Sequence, residues 1–307
     1  MQFRHLRYFV KVVEAGSFSR AAAAIHVAQP ALSQQVGELE GRLGVSLLLR
    51  SARGVRPTAA GEVLYREASE ILHLLEQLPG IARSTSGEVE GIVNFGMTAA
   101  VAGAFAGPAV AECKKALPKV TLKFSDADSD VLQARVEAQT LDMALVFEDY
   151  FTSNFLRHPI FRQRLYLVRR EPIEGCHGVI SLEQVAKLPL VLPPLPKHRR
   201  VVLDRAFAAA GLTPNIIAET DAGLSELSAV RSGVGSSIYH AGTFKNVYPG
   251  SFAEPLLIEP PMFLTCSLVS SSDFPLTSAG EAVKEVLIRF VKDQITQNTR
   301  PGAELIA

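Results

Sequence analysis

The stretch that decides the fold is Gln29-Pro30-Ala31-Leu32-Ser33-Gln34-Gln35-Val36. Within and after it, apolar side chains recur at steps of four, three and four residues, at Leu32, Val36, Leu39 and Leu43. This spacing predicts a helix with one buried face, and a proline in the first turn fits because that position needs no N–H. The opposite face then carries short or amide side chains that can approach base edges and phosphates.

That opposite face predicts a contact with DNA. Gln34 is the best candidate for reading bases, since its amide can both donate to and accept from adenine. Gln29 and Ser33 are candidates for bases or phosphates, and Pro30 lies on the same face. A polar helix face exposed only to solvent is the alternative, and the basic surroundings favour DNA.

Two helices are predicted before this one and a hairpin after it. Leu6–Glu14 has helical apolar spacing and ends at Gly16, and a second, alanine-rich helix follows with Ser17 and Ser19 as N-cap candidates. Later, Leu47–Arg50 and Val55–Thr58 flank a short turn, a pattern typical of a hairpin. Such a wing would follow the DNA backbone or enter the minor groove, where negative potential favours arginine, although a solvated turn is the alternative. The arginines counted as DNA contacts are Arg20, Arg50, Arg53 and Arg56.

Charge is distributed unevenly along the chain. The 307 residues carry no net charge and are 48% hydrophobic, which predicts two or three domains with sizeable cores. Residues 1–58, however, hold eight Lys or Arg and only three acids. A basic segment at 1–58, here called the head, on an acidic remainder, here called the body, predicts that the head binds DNA and that the body has a different function. Because the chain shows no signal-peptide pattern and no long apolar run, we expect a soluble cytoplasmic protein that does not contact a membrane.

A dimerising helix is predicted after the wing. From Thr58, a candidate N-cap, apolar residues follow a heptad spacing, at Leu64, Ala68, Ile71, Leu75, Leu78 and Ala82. A second copy of the same helix is the simplest partner for so narrow a stripe, and packing on its own chain is the alternative. Pro79-Gly80 predicts that the helix ends near Leu78, after roughly 30 Å, and that a hinge follows up to Gly91.

Three motifs resemble those of LysR-type transcriptional regulators. They are Ser17-Phe18-Ser19-Arg20-Ala21-Ala22, Gln29-Pro30-Ala31-Leu32-Ser33-Gln34-Gln35 and Arg53-Gly54-Val55-Arg56-Pro57-Thr58-Ala59-Ala60-Gly61. The resemblance is strong up to Gly61 and looser beyond. Within the family, the chain resembles the branch of nitrogen assimilation control regulators. One departure is Ala28, where the family usually has a Ser or Thr cap, whose loss costs about 0.5–2 kcal/mol.

The resemblance implies an α+β multidomain protein. Its parts are a winged helix-turn-helix at 1–58, a dimerising linker helix and hinge at 59–90, and a periplasmic-binding-protein-like α/β effector domain of two lobes at 91–307. It also implies binding to promoter inverted repeats as a dimer or tetramer, contact with RNA polymerase, and a small-molecule effector in the cleft. Some similar regulators, including those of nitrogen assimilation, need no inducer.

Strand-like and helix-like segments alternate from Gly91 onwards. They predict a βαβαβ unit with a parallel sheet and then a second set, giving lobe 1 at about 91–162 and 268–307 and lobe 2 at about 163–267. Ligands bind beyond the carboxyl ends of such strands. Thr98 follows the first strand and is a candidate to hold an anionic or polar group, with an ordinary helix cap as the alternative.

Other cleft candidates follow later strands. Ser129, Phe147 and Glu148 lie where similar regulators line their cleft, although Ser129 also fits a cap and Phe147 a core position. The basic run Pro196-Lys197-His198-Arg199-Arg200 follows a strand and predicts a carboxylate clamp, with a solvated loop as the alternative for part of it. Pro196, His198 and Arg199 are its candidate effector contacts. We therefore expect a small carboxylate or polar metabolite as effector.

Two other classes of protein explain the sequence less well. An enzyme is disfavoured because the chain has no GxSxG, HExxH, P-loop or metal-spaced cluster, and Gly233-Val234-Gly235 lacks the rest of a dinucleotide fingerprint. We expect no cofactor and no metal. A solute-binding protein would explain the body but not the basic head or the missing export signal.

Overall fold

Three short helices and a hairpin form the head. The computed structural model describes residues 2–51, 54–83, 89–148, 155–176, 178–240, 248–297 and 300–306, with only the backbone at 79–83. The elements of the head are α1 (Phe3–Ala15), α2 (Phe18–Ala24), α3 (Gln29–Leu43), β1 (Leu48–Ser51) and β2 (Gly54–Pro57). β1 and β2 pair antiparallel, as the hairpin pattern predicts.

Local signals set the ends of these helices. Gly16 ends α1 in the left-handed conformation, and the Ser17 side chain then caps α2. Ala28 makes no side-chain cap on α3, so packing holds that end. The prediction that Leu43 is buried was wrong, because it is 42% exposed. It is the last residue of α3, and Gly44 turns the chain away in the left-handed conformation.

The linker helix is longer than predicted. α4 runs from Ala59 to Arg83, 25 residues or about 38 Å, and passes through Pro79 instead of ending before it. A proline removes one helical hydrogen bond, here to the Leu75 carbonyl, but leaves the bonds of the turns on either side intact. The Thr58 hydroxyl accepts from the Gly61 N–H at 3.0 Å and caps the helix, as predicted.

The apolar stripe predicted on α4, from Leu64 to Ala82, is divided between two surfaces. Ala68 and Leu64 pack into the core of the head, so the alternative of packing on the same chain holds for this end of the stripe. Helical rotation leaves another row of apolar side chains exposed, at Val63, Ile71, Leu74 and Leu78. Of this exposed row, only Ile71 and Leu78 belong to the apolar stripe that the heptad spacing predicts.

The body begins with the predicted βαβαβ unit. It consists of β3 (Gly91–Thr98), α5 (Ala99–Ala116), β4 (Val120–Ala127), α6 (Ser129–Glu137) and β5 (Met143–Glu148). β3 lies between β4 and β5, and both pairings are parallel. The carboxyl ends of these strands therefore meet at one edge of the sheet.

A long strand connects this sheet to the second half of the body. The remaining elements are β6 (Phe155–Val168), β7 (Val179–Ser181), α7 (Leu182–Lys187), β8 (Leu190–Leu192), α8 (His198–Ala209), β9 (Ile216–Glu219), α9 (Gly223–Arg231), β10 (Ser237–His240), β11 (Leu256–Glu259), β12 (Phe263–Ser271), α10 (Ser278–Thr296) and β13 (Ala303–Leu305). β6 pairs with β12 up to Arg164, and from Leu165 it pairs with β10. β12 also pairs with β5, and β13 adds to the edge of β6. In the described ranges, no helix is both long and apolar enough to cross a membrane.

Candidate nucleic-acid interface and ligand cleft

The exposed face of α3 carries the residues predicted to contact DNA. Gln29, Pro30 and Gln34 are exposed, while Leu32 beside them is buried and holds the helix against α1 and α2. Ser33 is half-buried, and its hydroxyl accepts a hydrogen bond from Arg50 Nη1 at 3.0 Å. This bond joins α3 to β1 of the wing, so the two elements present one continuous polar surface.

The wing arginines differ in their surroundings. The Arg50 guanidinium lies 4.6 Å from the centre of the Phe18 ring and 3.7 Å from the Glu40 carboxylate, which holds it beside α3. Arg56 is exposed on β2. Arg53 lies outside the described residues. Arg20 donates through Nε and Nη2 to the Ala15 carbonyl at 3.0 and 2.6 Å, so part of its hydrogen-bonding capacity already serves the turn between α1 and α2.

Two residues fix the wing on the head. The Glu40 carboxylate accepts from the Leu47 and Leu48 N–H groups at 2.7 and 3.1 Å. At Gly61, a Cβ atom would collide with the Leu47 carbonyl oxygen, so only glycine fits there. The role of Glu40 cannot be predicted from the sequence, because an acid inside a polar helix gives no sign that it will bind backbone donors.

The cleft between the two halves of the body is a cavity of about 770 Å³. Among the described helices, α5, α6, α8 and α9 all begin at this cavity. Each of the four has an N-cap residue whose side chain makes no capping hydrogen bond, namely Thr98, Asp128, Lys197 and Ala222. First-turn N–H groups of four helices are therefore directed towards one space.

Five of the seven predicted effector residues line this cavity, and three of them, Thr98, Ser129 and Phe147, come from the first half of the body. Thr98 is 6% exposed, and its hydroxyl oxygen has no hydrogen-bond partner within the described part of the chain. The Ser129 hydroxyl accepts from the Phe147 N–H at 3.1 Å, which links α6 to β5. The Phe147 ring stacks on His240 with 5.8 Å between ring centres. All four side chains line the cavity.

Glu148 does not line the cavity. It is 1% exposed, and its carboxylate lies 3.0 Å from Arg157 Nε in a buried ion pair. Successive side chains of a strand point to opposite faces of the sheet, so when Phe147 faces the cavity, Glu148 faces away. The prediction of Glu148 as a cleft residue therefore disagrees with its position.

Arg199 lines the cavity, but its charge is already matched. Nη1 donates to Glu226 Oε1 at 2.8 Å and to the Ile238 carbonyl at 2.7 Å, Nη2 also binds the Glu226 carboxylate, and the guanidinium lies over the Tyr239 ring. Burial lowers the pKa of Arg199, but the Glu226 carboxylate more than offsets burial, so the net pKa is raised. Arg199 is therefore part of a buried ion pair and does not stand free as a carboxylate clamp.

The rest of the predicted basic clamp is neutralised as well. Lys197 Nζ lies 2.5 Å from Asp128 and 3.6 Å from Asp130, and this ion pair joins the two lobes at the mouth of the cleft. Arg200 pairs with Asp204 and Glu219. His198 lines the cavity, whereas Pro196 is not among its lining residues. Asp204 lies one helical turn after Arg200, but the other acids come from distant segments, which the run itself does not indicate.

Comparison with known proteins gives the family. Residues 3–62 match the family described as bacterial regulatory helix-turn-helix protein, lysR family, and residues 86–292 match the LysR substrate binding domain. The chain belongs to the LysR family. It is similar to the nitrogen assimilation regulatory protein nac of Klebsiella aerogenes, with 32% identity over 97% of this chain and 98% of that one. It is also similar to the regulator BbuR of Bordetella bronchiseptica, with 29% identity over 97% of this chain and 91% of that one.

Solved structures share the fold of this LysR-family chain. CbnR complexed with its target DNA superposes with a TM-score of 0.70 at 22% identity, covering 94% of this chain and 99% of that one. Full-length OxyR from Pseudomonas aeruginosa gives 0.69 at 22% identity, covering 95% of each chain. The matched domains and relatives make the protein a DNA-binding transcriptional regulator with an effector-binding domain, and not an enzyme.

A buried polar network joins the linker helix of this LysR-family regulator to its body. Asp142 accepts from the Asn94 N–H at 2.6 Å and from Gln77 Nε2 at 2.5 Å, and its Oδ1 lies 3.0 Å from His73 Nε2. Asn94 Nδ2 completes the network 3.0 Å from His73 Nδ1. The sequence does not indicate this network, because His73 and Gln77 have the pattern of ordinary polar positions on a helix.

Proposed function

We propose that this regulator binds an imperfect inverted repeat in promoter DNA as a dimer or tetramer, acts in the cytoplasm, and responds to a small molecule in its cleft. The observation that carries the proposal is the exposed polar face of α3 beside the wing arginines. The proposed units are 1–58 for DNA binding, 59–90 for dimerisation and 91–307 for the effector. Within the effector domain, the proposed lobe 1 comprises about 91–162 and 268–307, and the proposed lobe 2 comprises about 163–267. Contact with RNA polymerase at the promoter belongs to the same proposal.

The division of labour on the DNA side follows from position. Gln34 is exposed in the first half of α3, and its amide reaches Glu38 Oε1 at 3.0 Å, so it can exchange this bond for one to a base edge. Arg56 lies on the wing and offers a positive charge to phosphates. The other proposed contacts are Arg20, Gln29, Pro30, Ser33, Arg50 and Arg53.

Dimerisation is supported by the exposed row on α4. Val63, Ile71, Leu74 and Leu78 are exposed in one chain, and a helix with such a row is stable in water when another apolar surface covers it. A second copy of α4 offers the same row. Two heads joined in this way would read two half-sites, which is why the proposed site is an inverted repeat.

The effector side is supported by the cavity itself. A space of about 770 Å³, lined by Thr98, Ser129, Phe147, His198 and Arg199, is of the size that holds a small metabolite. The proposed effector is a small carboxylate or other polar compound. Ligand in the cleft would then alter the relative placement of the two heads.

Footprinting on the regulator's own promoter region tests the DNA-binding part. Gln34→Ala should lose discrimination among sequences, by about 1–3 kcal/mol at one base pair of each half-site. Arg56→Ala should weaken binding to all sequences and reduce the salt dependence by about one counterion per head. Lys115→Ala, an exposed change on the body, serves as the matched control. Equal effects of the first two variants on sequence preference would contradict this division, and the absence of a protected dyad at modest salt would contradict the proposal.

A further inference from the structure

Arg300 is a buried cation with an incomplete set of partners. It is 1% exposed; its Nε donates to Gln163 Oε1 at 2.6 Å and its Nη1 donates to the Ala100 carbonyl at 3.1 Å. Its Nη2 has no hydrogen-bond partner among the described residues. The guanidinium carbon lies 5.8–5.9 Å from the centres of three phenylalanine rings, Phe105, Phe147 and Phe161.

No acid in the described ranges forms an ion pair with Arg300. Burial lowers the pKa of Arg300 to about 10, so the group still carries its charge at neutral pH. A buried charge without a counter-ion is costly, and proteins rarely keep one unless something else compensates for it. The described chain thus leaves a positive charge that is matched only by neutral acceptors and aromatic rings.

This charge lies directly behind the floor of the cleft. Ala100, which accepts from Arg300, and Phe147, which packs against it, both line the cavity. His240 lines it too, and burial together with the Arg300 charge lowers the pKa of His240 well below its usual value. His240 is therefore neutral at neutral pH. Arg300 places a positive charge behind the inner end of the cleft, the part of the cavity lined by Ala100, Phe147 and His240.

Backbone groups add to this positive inner end. In the same body, Ser181 caps α7 and Thr277 caps α10 with their side chains. The four helices that begin at the cavity lack such caps. The Thr98 hydroxyl, buried and without a partner, faces the same space. An acceptor atom of a ligand would satisfy donors that the protein itself leaves open.

The acids of the cleft lie at its mouth. Asp128 and Asp130 are about half exposed and pair with Lys197, and Asp221 is exposed. Exposed charges are screened by solvent and salt, whereas Arg300 is buried in a medium of low dielectric constant. The inner end of the cleft is therefore positive although acids line its rim.

We infer that the inner end of the cleft selects the oxyanion group of a small metabolite, a carboxylate or a phosphate, and that Arg300 determines this preference through its charge. The inference rests on the proposed effector function of the cleft and names the chemical class of the effector. Arg300 acts from behind the floor and is a positioning residue, whereas Thr98 touches the ligand. By Coulomb's law, a unit charge within about 10 Å, at an effective dielectric constant of about 20, changes the affinity for a monoanion by about tenfold or more.

Titration of the full-length protein with paired small probes tests the inference. Acetate and inorganic phosphate are compared with acetamide, the neutral analogue of acetate, at constant ionic strength. We expect the oxyanions to bind at least about tenfold more tightly than acetamide. Arg300→Gln should remove this preference and leave acetamide binding unchanged, and whichever of acetate or phosphate binds more tightly identifies the group that the cleft accepts.

Two further variants separate charge from folding. Arg169→Gln is the matched control, because Arg169 is also a buried arginine but donates to the Glu254 carbonyl, and it is not among the residues that line the cleft. It should keep the preference for oxyanions. Thr98→Val is nearly isosteric, and it should weaken oxyanion binding even if Arg300→Gln fails to fold. Equal binding of acetate and acetamide to the wild type, or no binding of any oxyanion, overturns the inference, whereas a missing dyad footprint bears on the proposed DNA function alone.

Discussion

His240 gives the protein a defined response to acid. Burial, and then the nearby charges of Arg300 and Arg199, lower the pKa of this imidazole well below 6.5. Below about pH 6.5 the unfolded chain takes up a proton at His240 that the folded chain does not. The free energy of unfolding should therefore fall as the pH falls, by about 1.4 kcal/mol per pH unit until the folded pKa is reached.

Urea unfolding between pH 7.5 and pH 5 measures this contribution. His240→Phe should unfold with a pH dependence that is shallower by that amount, since Phe has no proton to gain. His158→Phe, an exposed position on β6, is the control and should keep the wild-type slope. An unchanged slope in His240→Phe would mean that another group causes the acid sensitivity.

At the residue scale, the sequence predicts where a side chain lies in the fold better than which group it binds. Thr98, Ser129 and Phe147 line the cavity because strand ends in a parallel sheet collect at one edge, and their contact with an effector stays a prediction. Arg199 and Lys197 were placed near the cleft, but their charges are neutralised by Glu226 and Asp128, which are distant in the chain. Such ion pairs depend on tertiary structure, which a local pattern does not contain.

At the element scale, the junction between α4 and the body should determine how the protein unfolds. Asp142→Asn replaces a carboxylate that accepts from the Asn94 N–H and Gln77 with an amide that offers its own donors. Breaking a buried network of this kind costs about 3 kcal/mol. Calorimetry should show a lower first transition and a separation of the head with α4 from the body.

A second contact between the same two elements provides the control. Lys123 on β4 pairs with Glu76 on α4 at 2.7 Å, but both side chains are exposed. Lys123→Ala should therefore cost less than about 1 kcal/mol and keep a single transition. If both variants behave alike, the buried network does not hold α4 to the body.

The elements themselves were largely readable from the sequence. The alternation from Gly91 onwards predicts the βαβαβ unit that the body contains, and the helical spacing over Leu6–Glu14 predicts α1, which runs from Phe3 to Ala15. Short segments such as β7 and β13 were missed, because three residues carry too little periodicity. α4 was predicted too short, because the effect of Pro79 was weighed without the contacts that hold the preceding turns.

At the scale of the whole molecule, the exposed row on α4 should control assembly. Leu78→Glu places a charge in that row, so we expect light scattering to show a smaller oligomer and footprinting to show loss of the paired half-sites. Val110→Glu, at an exposed apolar position on α5, should leave the mass unchanged. A Leu78→Glu protein of wild-type mass would place the interface elsewhere.

Two neighbouring strands of the body, β3 and β5, run from the region of the α4 junction to the cleft. β3 carries Asn94 at the α4 junction and Thr98 at the cleft, four residues or about 13 Å apart, and β5 runs alongside it to Phe147. A shift of the strand ends at the cleft therefore reaches α4 without crossing a flexible loop. A tilt of about 5° at His73 would move Ala59, roughly 21 Å along the helix, by about 2 Å. In a dimer whose two heads move in opposite directions, the two displacements add to a change close to the rise of one base pair, about 3.4 Å. A small ligand could therefore change the spacing of half-sites that the two heads recognise.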